Sequence, residues 1–152
     1  MLSQVKRETT RLRAKGWTMA QAYRAAKIKA EFAACDSVRL VQECDPEVYD
    51  DSYIDTWTDT TERQREHYRK ETRQRILNEG CYGLVGEYLD PASGEWEQAD
   101  AVWGFIGDDG DDSGYDTDIM RSTLDAYRKA ADAFASNGAV ELAERGTYAA
   151  GE

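Results

Sequence analysis

Two strand-like segments joined by a short turn constrain the fold of this 152-residue chain more than any other feature. Residues 81–89 and 96–106 are rich in apolar and aromatic side chains, and the six residues between them place Pro early and Gly late. That turn composition is typical of a β-hairpin. Glycines inside the strands, at Gly83, Gly86 and Gly104, predict bulges or a close approach of another backbone.

An acidic loop follows the hairpin directly. Residues 107–118 contain six Asp and three Gly. The wider segment 80–118 carries eleven acids and no Lys or Arg, whereas residues 1–31 carry eight bases and two acids. The net charge of the chain is -11. The field of the acidic segment must therefore be met by water, by counterions, by the basic N-terminal segment or by a partner.

Helical patterns occupy most of the remaining chain. Residues 3–15 form a basic amphipathic pattern that ends at Gly16. Thr18 and Gln21 predict a capping box for an Ala-rich second helix that runs to about residue 34. Further along we predict a strand at 38–43, an ordered loop or short helix at 47–61, a polar helix at 62–78, a long helix at 116–135, a turn at Asn137–Gly138 and a short helix at 139–145.

This order predicts an α+β fold in which a small, mainly antiparallel sheet of about three strands, including the hairpin 81–106, packs against four helices. Residues 1–152 are predicted to be a single domain, because this length buries a core without disulfides or metal. Within it we predict a basic helical pair at 1–35, an acidic α+β core at 36–145 and a disordered tail at 146–152.

Cysteine usage and hydropathy bear on the compartment. The three Cys form no C-x-x-C motif, and no apolar run approaches the length that spans a bilayer. Both features predict a cytoplasmic protein, in the host cytoplasm if it is encoded by a phage, without a membrane partner. The sequence contains one His and no G-x-S-x-G, H-E-x-x-H, P-loop or G-x-G-x-x-G motif. We therefore predict neither catalysis nor a cofactor.

Calcium is one candidate ligand for the acidic loop. Counted from Asp109, the loop follows the EF-hand spacing at several positions, with ligands predicted at Asp109, Asp111, Ser113, the Tyr115 carbonyl and Thr117. The bidentate Glu of an EF-hand is replaced by Met120, and a strand precedes the loop where an EF-hand has a helix. Alternatively, Asp116 and Asp118 stabilise the start of a helix, and residues 108–112 form a mobile, hydrated turn.

A basic protein surface is the second candidate partner. Duplex DNA carries one negative charge per ~1.7 Å of axis, so carboxylates on a rigid scaffold can occupy the groove of a nucleic-acid-binding protein. Aromatic side chains among them would anchor the contact. This hypothesis predicts an acidic protein-binding module, such as a phage or mobile-element inhibitor that mimics DNA and blocks a host defence protein of the CRISPR or restriction type. The predicted partner-binding residues are Asp50, Asp51, Asp55, Trp57, Asp100, Asp108, Asp109, Asp111, Asp112, Tyr115, Asp116 and Asp118.

The basic N-terminal helices offer a third alternative, a DNA-binding accessory protein. Gly16-Trp17-Thr18 resembles the turn of a helix-turn-helix, and eight bases in 31 residues would suit phosphates. Two features argue against this alternative. Leu12 occupies a position at which a helix-turn-helix usually has a small residue, and the negative net charge of the chain opposes direct binding of nucleic acid. Packing of this segment against the acidic one, within a chain or between two subunits of a homodimer, explains the basic charge equally well.

Overall fold

The computed structural model describes residues 2–44 and 52–150, with the side chains of residues 2–44 and 52–138. Within these residues the fold consists of four α-helices and a three-stranded antiparallel sheet, which confirms the predicted α+β class and the hairpin. The elements in chain order are α1 (Leu2–Ala14), α2 (Met19–Ala34), β1 (Val38–Cys44), a 3-10 turn (Ser52–Thr56), α3 (Glu62–Glu79), β2 (Cys81–Leu89), β3 (Trp96–Ile106) and α4 (Tyr115–Ala150).

α1 and α2 are joined by a tight turn whose chemistry is as predicted. Gly16 ends α1 with a φ of +96°, and the Trp17 amide donates to the Leu12 carbonyl at 3.2 Å. Glycine adopts this left-handed conformation without steric cost. The Thr18 hydroxyl then accepts from the Gln21 amide, and the Gln21 side chain accepts from the Thr18 amide, both at 3.2 Å. The capping box is confirmed.

The two helices pack side by side along their length. Val5 clusters with Ala30 near one end of the pair, and Leu12 clusters with Ala22 near the other. Because Val5 and Leu12 are seven residues apart, the helices stay in contact over about 10 Å. Leu2 does not belong to this seam, although its spacing predicts an inward position, since it is 87% exposed. The pair is an antiparallel helical hairpin with a basic exterior.

β2 is the central strand, and β1 and β3 pair with it on either side. Val41 lies opposite Val85 in the β1–β2 ladder. The β2–β3 register shifts twice, and each shift inserts one extra β3 residue, near Gly104 and at Ala99. Gly104 has a φ of +93°, which a side chain would oppose. These bulges confirm the interpretation of the strand glycines, and they make the edge strand β3 less able to pair with another strand.

α4 packs across one face of the sheet. A Cβ atom at Gly86 of β2 would lie 2.0 Å from the Thr123 hydroxyl and 2.7 Å from the Ile119 side chain. The other side of α4 meets α2, where Arg128 pairs with Glu31 at 3.2 Å. The core between α4 and the sheet consists of Leu40, Tyr82, Leu84, Val102, Phe105 and Ile119. The glycine therefore permits the close approach of α4 that forms this core.

The last helix is longer than predicted. α4 continues without interruption to Ala150, through the turn predicted at Asn137–Gly138 and into the segment 146–152 that was expected to be disordered. Neither residue of the predicted turn removes a backbone donor as proline would, and Ala-rich segments on both sides favour the helix. No helix in the described part of the chain is both long and apolar enough to cross a membrane.

α3 begins with a second capping box, between Thr61 and Gln64, and ends at Gly80 just before β2. The 3-10 turn before it confirms the short helix predicted within 47–61. Its aromatic side chains dock on α3, since the Trp57 ring lies 4.9 Å from the Tyr68 ring. Residues 45–51 lie outside the described part of the chain.

Candidate interaction surface

The acidic loop between β3 and α4 is a succession of tight turns. The Asp109 amide donates to the Ile106 carbonyl at 3.1 Å, and the Asp111 amide donates to the Asp108 carbonyl at 2.9 Å. Its first residue, Gly107, lies against the Glu79 side chain at the end of α3, and a Cβ there would come within 2.8 Å of that carboxylate. The loop therefore has a defined path from the sheet to α4.

Gly110 anchors the middle of the loop to the core. It is buried, and a Cβ on it would lie 3.1 to 3.3 Å from the side chains of Leu84, Tyr82 and Phe105. The Tyr82 hydroxyl accepts a hydrogen bond from the Gly110 amide at 3.3 Å. Burial raises the pKa of Tyr82, so its hydroxyl stays protonated at neutral pH. The loop is thus bonded to the core at its centre, a contact that the interpretation of residues 108–112 as a mobile, hydrated turn does not predict.

Asp112 fixes the far end of the loop to the helical hairpin. Arg11 donates to both of its carboxylate oxygens, at 2.7 and 2.8 Å, and Lys15 and Lys29 donate at 2.6 and 3.0 Å. The Asp112 side chain is only 10% exposed. The hydrogen bonds from Arg11, and then those from the two lysines, hold the pKa of Asp112 far below its usual range against the opposing effect of burial. We call these four residues the Asp112 clamp.

The backbone of Asp112 adopts an uncommon conformation, which these contacts hold in place. Its φ of +51° makes it the one residue other than glycine with a positive φ among the described residues. Such a conformation is uncommon for a residue with a side chain, although Asp and Asn tolerate it better than most. The Asp112 amide is also satisfied, since it donates to the Asp116 carboxylate at 3.2 Å. Three cations and a helix cap together hold this turn.

A second carboxylate, Glu8, contacts two of the three cations of the clamp. Glu8 accepts from Arg11 and, at 2.9 Å, from Lys29. The hydrogen bond from Arg11 is the largest influence on its pKa; burial opposes it, Lys29 supports it, and the pKa of Glu8 is lowered to about 2. Acids of the same chain thus pair with the bases on this flank of the helical hairpin. Of the alternatives that the sequence left open for these bases, packing against the acidic segment within one chain is the one that the structure shows here.

Two further residues of the loop that were predicted to bind a partner, Asp109 and Asp116, instead form contacts within the chain. Asp109 accepts from Arg75 of α3 at 3.0 and 3.2 Å, and the same guanidinium donates to the Ile106 carbonyl and to Glu79. Asp116 is 7% exposed and accepts from the Thr117 amide at 2.9 Å, so it caps the first turn of α4. The pKa of Arg75 is raised, chiefly by its hydrogen bonds to Asp109.

Three aspartates and one aromatic residue remain exposed around these anchors. Asp108, Asp111 and Asp118 form no ion pair with any described residue. Tyr115 is 55% exposed, and its ring centroid lies 6.1 Å from that of Phe105 in the core. Tyr115 and Asp118 are three residues apart on α4 and therefore lie on one side of it. We call Asp108, Asp111, Tyr115 and Asp118 the presented acidic patch.

The other predicted partner-binding residues do not join this patch. Asp55 pairs with Arg69 of α3, and Trp57 packs on Tyr68 of the same helix. Asp100 is half-buried on β3, where it accepts from the Ala101 amide at 2.8 Å. The predicted Asp50 and Asp51 lie outside the described residues. The arginines of α3 thus interrupt the wide negative face that the sequence predicts.

Most of the side chains predicted to bind calcium make other contacts. The Ser113 hydroxyl donates to the Gly110 carbonyl at 2.8 Å, and the Thr117 hydroxyl donates to the Gly114 carbonyl at 3.1 Å. Asp109 is paired with Arg75, whereas Asp111 points to no counter-ion in the described chain. Among the described residues there is no group of three or more His, Cys, Asp or Glu side chains placed to hold a metal ion.

The helix-turn-helix resemblance is limited to the turn. In such motifs the second helix crosses the first at a steep angle and presents its N-terminal residues to the major groove. Here α1 and α2 remain in contact from Val5 to Leu12, and the beginning of α2 faces a groove of about 470 Å³ beside α4. That groove mixes Lys15, Arg24 and Arg121 with Asp112 and Asp118, so it favours neither charge strongly.

The sequence did not identify the partners of Asp112. Glu8, Arg11 and Lys15 lie three and four residues apart, which places them on one flank of α1, and that spacing is a signal that could have been used. The loop that meets this flank lies about one hundred residues away in the chain, and helical spacing carries no information about such a distant contact. Comparisons with protein-family models, curated proteins and solved structures found no match to this chain.

Proposed function

We propose that this protein is a non-catalytic protein-binding module whose presented acidic patch docks on a basic protein surface. The partner class that fits is a nucleic-acid-binding protein, with the patch occupying positions that phosphates otherwise take. In its sharper form the protein is an inhibitor of a host defence protein of the CRISPR or restriction type, encoded by a phage or a mobile element.

One observation supports the proposal above the others, namely that the loop is bonded to the core and to the helical hairpin while three of its carboxylates are left without a counter-ion in the described chain. Gly110 is bonded to the core and Asp112 to three cations, so Asp111 lies between two anchors and Asp108 lies two residues before the first of them. A surface that is ordered before binding loses little conformational entropy on docking. Fixed carboxylates are the feature that distinguishes a binding surface from a hydrated acidic loop.

The composition of the patch suits a basic partner. Like charges held together repel one another, and a cationic surface relieves that repulsion when it binds. Tyr115 adds a large, half-exposed ring beside the carboxylates, and Tyr is among the residues that most often carry binding energy at interfaces. The net charge of -11 on the whole chain also steers a basic partner towards the protein from a distance.

Capture from a bacterial extract tests this proposal. The full chain is immobilised, and bound proteins are identified with and without duplex DNA as a competitor. We expect at least one nucleic-acid-binding protein to be captured, to be released by duplex DNA, and to be released by salt of about 0.5 M, at which charges are screened within a few ångströms. The variant Asp108→Asn/Asp111→Asn/Asp118→Asn should lose that protein.

A matched variant separates the patch from general acidity. Asp36, Asp59 and Glu97 are all exposed, so Asp36→Asn/Asp59→Asn/Glu97→Gln changes the net charge by the same amount elsewhere. The proposal predicts that this control keeps the captured protein. Equal loss in both variants, or capture that neither DNA nor salt disturbs, contradicts it.

A further inference from the structure

The flank of the helical hairpin opposite the Asp112 clamp carries exposed apolar side chains. Leu2, Met19 and Tyr23 are 87%, 55% and 50% exposed. Two shallow depressions of about 140 and 380 Å³ follow the line between α1 and α2 on this flank, the first beside Leu2 and Tyr23 and the second beside Met19. Both lie on the same flank of the pair, one near each end of α1. We call the two together the outer groove, defined by Leu2, Lys6, Arg13, Met19, Tyr23 and Lys27.

The charge of the outer groove is positive and uncompensated. Arg13 and Lys27 line its two ends, and Lys6 lies one helical turn from Leu2. None of these three cations forms an ion pair with a described residue. The one acid at the margin, Glu31, is paired with Arg128 of α4. An occupant of this groove should therefore combine apolar side chains with negative charge.

α4 extends well beyond the helix that supports it. Arg24 of α2 and Arg121 of α4 line one groove, and Glu31 and Arg128, each seven residues later, form an ion pair, so the two helices run parallel. α2 ends at Ala34, whereas α4 continues to residue 150. Residues 132–137 are all exposed, and Phe134 among them is 50% exposed. We call residues 132–150 the α4 extension.

The α4 extension needs packing to remain helical. At 1.5 Å per residue it is about 28 Å long, and helices of this size are marginal in water unless a face is buried. Gly138 and Gly146 weaken it further, each by about 1 kcal/mol relative to Ala. Its sequence carries three acids and one Arg, which is the charge that complements the outer groove. Among the described residues, the chain thus contains both an exposed stretch of helix, residues 132–137, and a groove that no described segment fills.

We propose that the outer groove binds the α4 extension of a second copy of this chain. The extension cannot reach the groove of its own chain, because α4 is a continuous helix that leaves the hairpin at the C-terminal end of α2. At about 28 Å it is longer than the groove, which spans twelve residues of α1 or about 18 Å. An amphipathic helix laid in a groove between two helices is a recurrent mode of association. This inference is independent of the proposed function.

Sedimentation of the full chain at low salt, from about 5 to 500 µM, tests the interface. The wild-type protein should form a dimer. Lys27→Glu places a negative charge in the groove, and Phe134→Ser removes the exposed ring of the extension, so each should raise the dissociation constant about tenfold or more. Arg7→Glu is the matched control for charge, because Arg7 lies on α1 away from the groove, and Ala135→Ser is the control for the extension. Circular dichroism confirms that each variant is folded.

Three results would overturn the inference. The first is a monomer at every concentration. The second is a dimer that Lys27→Glu and Phe134→Ser leave intact, or that Arg7→Glu weakens equally. The third is binding of a 20-base-pair DNA or of anionic lipid vesicles by a monomeric wild type, lost in Lys27→Glu and kept in Arg7→Glu, because that result assigns the groove to a phosphate-bearing partner.

Discussion

Asp111 and Asp112 are adjacent, chemically identical and placed in opposite environments. Asp112 is nearly buried and contacts three cations, whereas Asp111 is exposed and meets no counter-ion in the described chain. The contrast shows that acidic residues in one loop can divide two tasks. Asp112 and Gly110 hold the loop in place, and Asp108 and Asp111 are presented by it.

The same contrast divides the helical hairpin. On one flank of α1, Arg11 and Lys15 pair with Asp112, whereas Lys6 and Arg13 on the other flank form no ion pair with any described residue. A net charge counted over residues 1–31 cannot distinguish these flanks. What a charged segment does depends on which helical face each charge occupies.

Removing Asp112 should have the largest effect. Asp112→Ala leaves three cations facing one another and replaces a residue that tolerates a positive φ, so we expect a loss of about 2–4 kcal/mol in the free energy of unfolding. Urea denaturation measures it. Asp109→Ala is the comparison within the loop and should cost about 1 kcal/mol or less, because the Asp109–Arg75 pair is exposed. Equal losses would contradict the division of tasks.

Acid should weaken the Asp112 clamp. A carboxyl whose pKa is lower in the folded protein contributes stability above its unfolded pKa, and that contribution is lost as the pH falls through the folded pKa. For Glu8 the interval runs from 4.5 to about 2, and for Asp112 it reaches still lower. Glu8→Gln should therefore be less stable than wild type at pH 7, with a difference that shrinks between pH 5 and 2. A constant difference in urea titrations would argue against a charged Glu8 in the clamp.

The central anchor should contribute less than the clamp. Tyr82→Phe removes the acceptor of the buried Gly110 amide, and we expect a loss of about 1 kcal/mol together with faster hydrogen exchange at that amide. Tyr115→Phe is the control, because the Tyr115 hydroxyl has no hydrogen bond in the described chain and its ring is exposed. If exchange at Gly110 is unchanged in Tyr82→Phe, the loop is held by other contacts.

Calcium should have the smallest effect. Ser113 and Thr117 use their hydroxyls within the loop, and Asp109 is paired with Arg75, so we expect the same melting temperature with calcium and with EDTA. A ligand that binds the native state must raise that temperature. A rise that EDTA reverses and that Asp109→Asn abolishes would restore the calcium hypothesis.

Local patterns in the sequence predicted the elements well, because the interactions that define them are local. The Thr18–Gln21 capping box depends on residues three positions apart, and the turn of the hairpin depends on the six residues 90–95. The continuation of α4 past Asn137–Gly138 was missed, since a favourable helix on both sides outweighs two poor helix formers. The partners of Asp112 were missed for another reason. Arg11 and Asp112 are 101 residues apart, and all three strands lie between them in the chain, so no local pattern relates the two residues.

Replacing each of the two adjacent aspartates by asparagine tests the central claim most directly. Asn keeps the shape and the tolerance of a positive φ while removing one charge, so Asp111→Asn and Asp112→Asn differ only in which charge is lost. Urea denaturation at pH 7 should show a loss of about 1.5–3 kcal/mol for Asp112→Asn and a change within about 0.5 kcal/mol for Asp111→Asn. Similar values for the two variants would contradict a loop in which Asp112 anchors and Asp111 is presented.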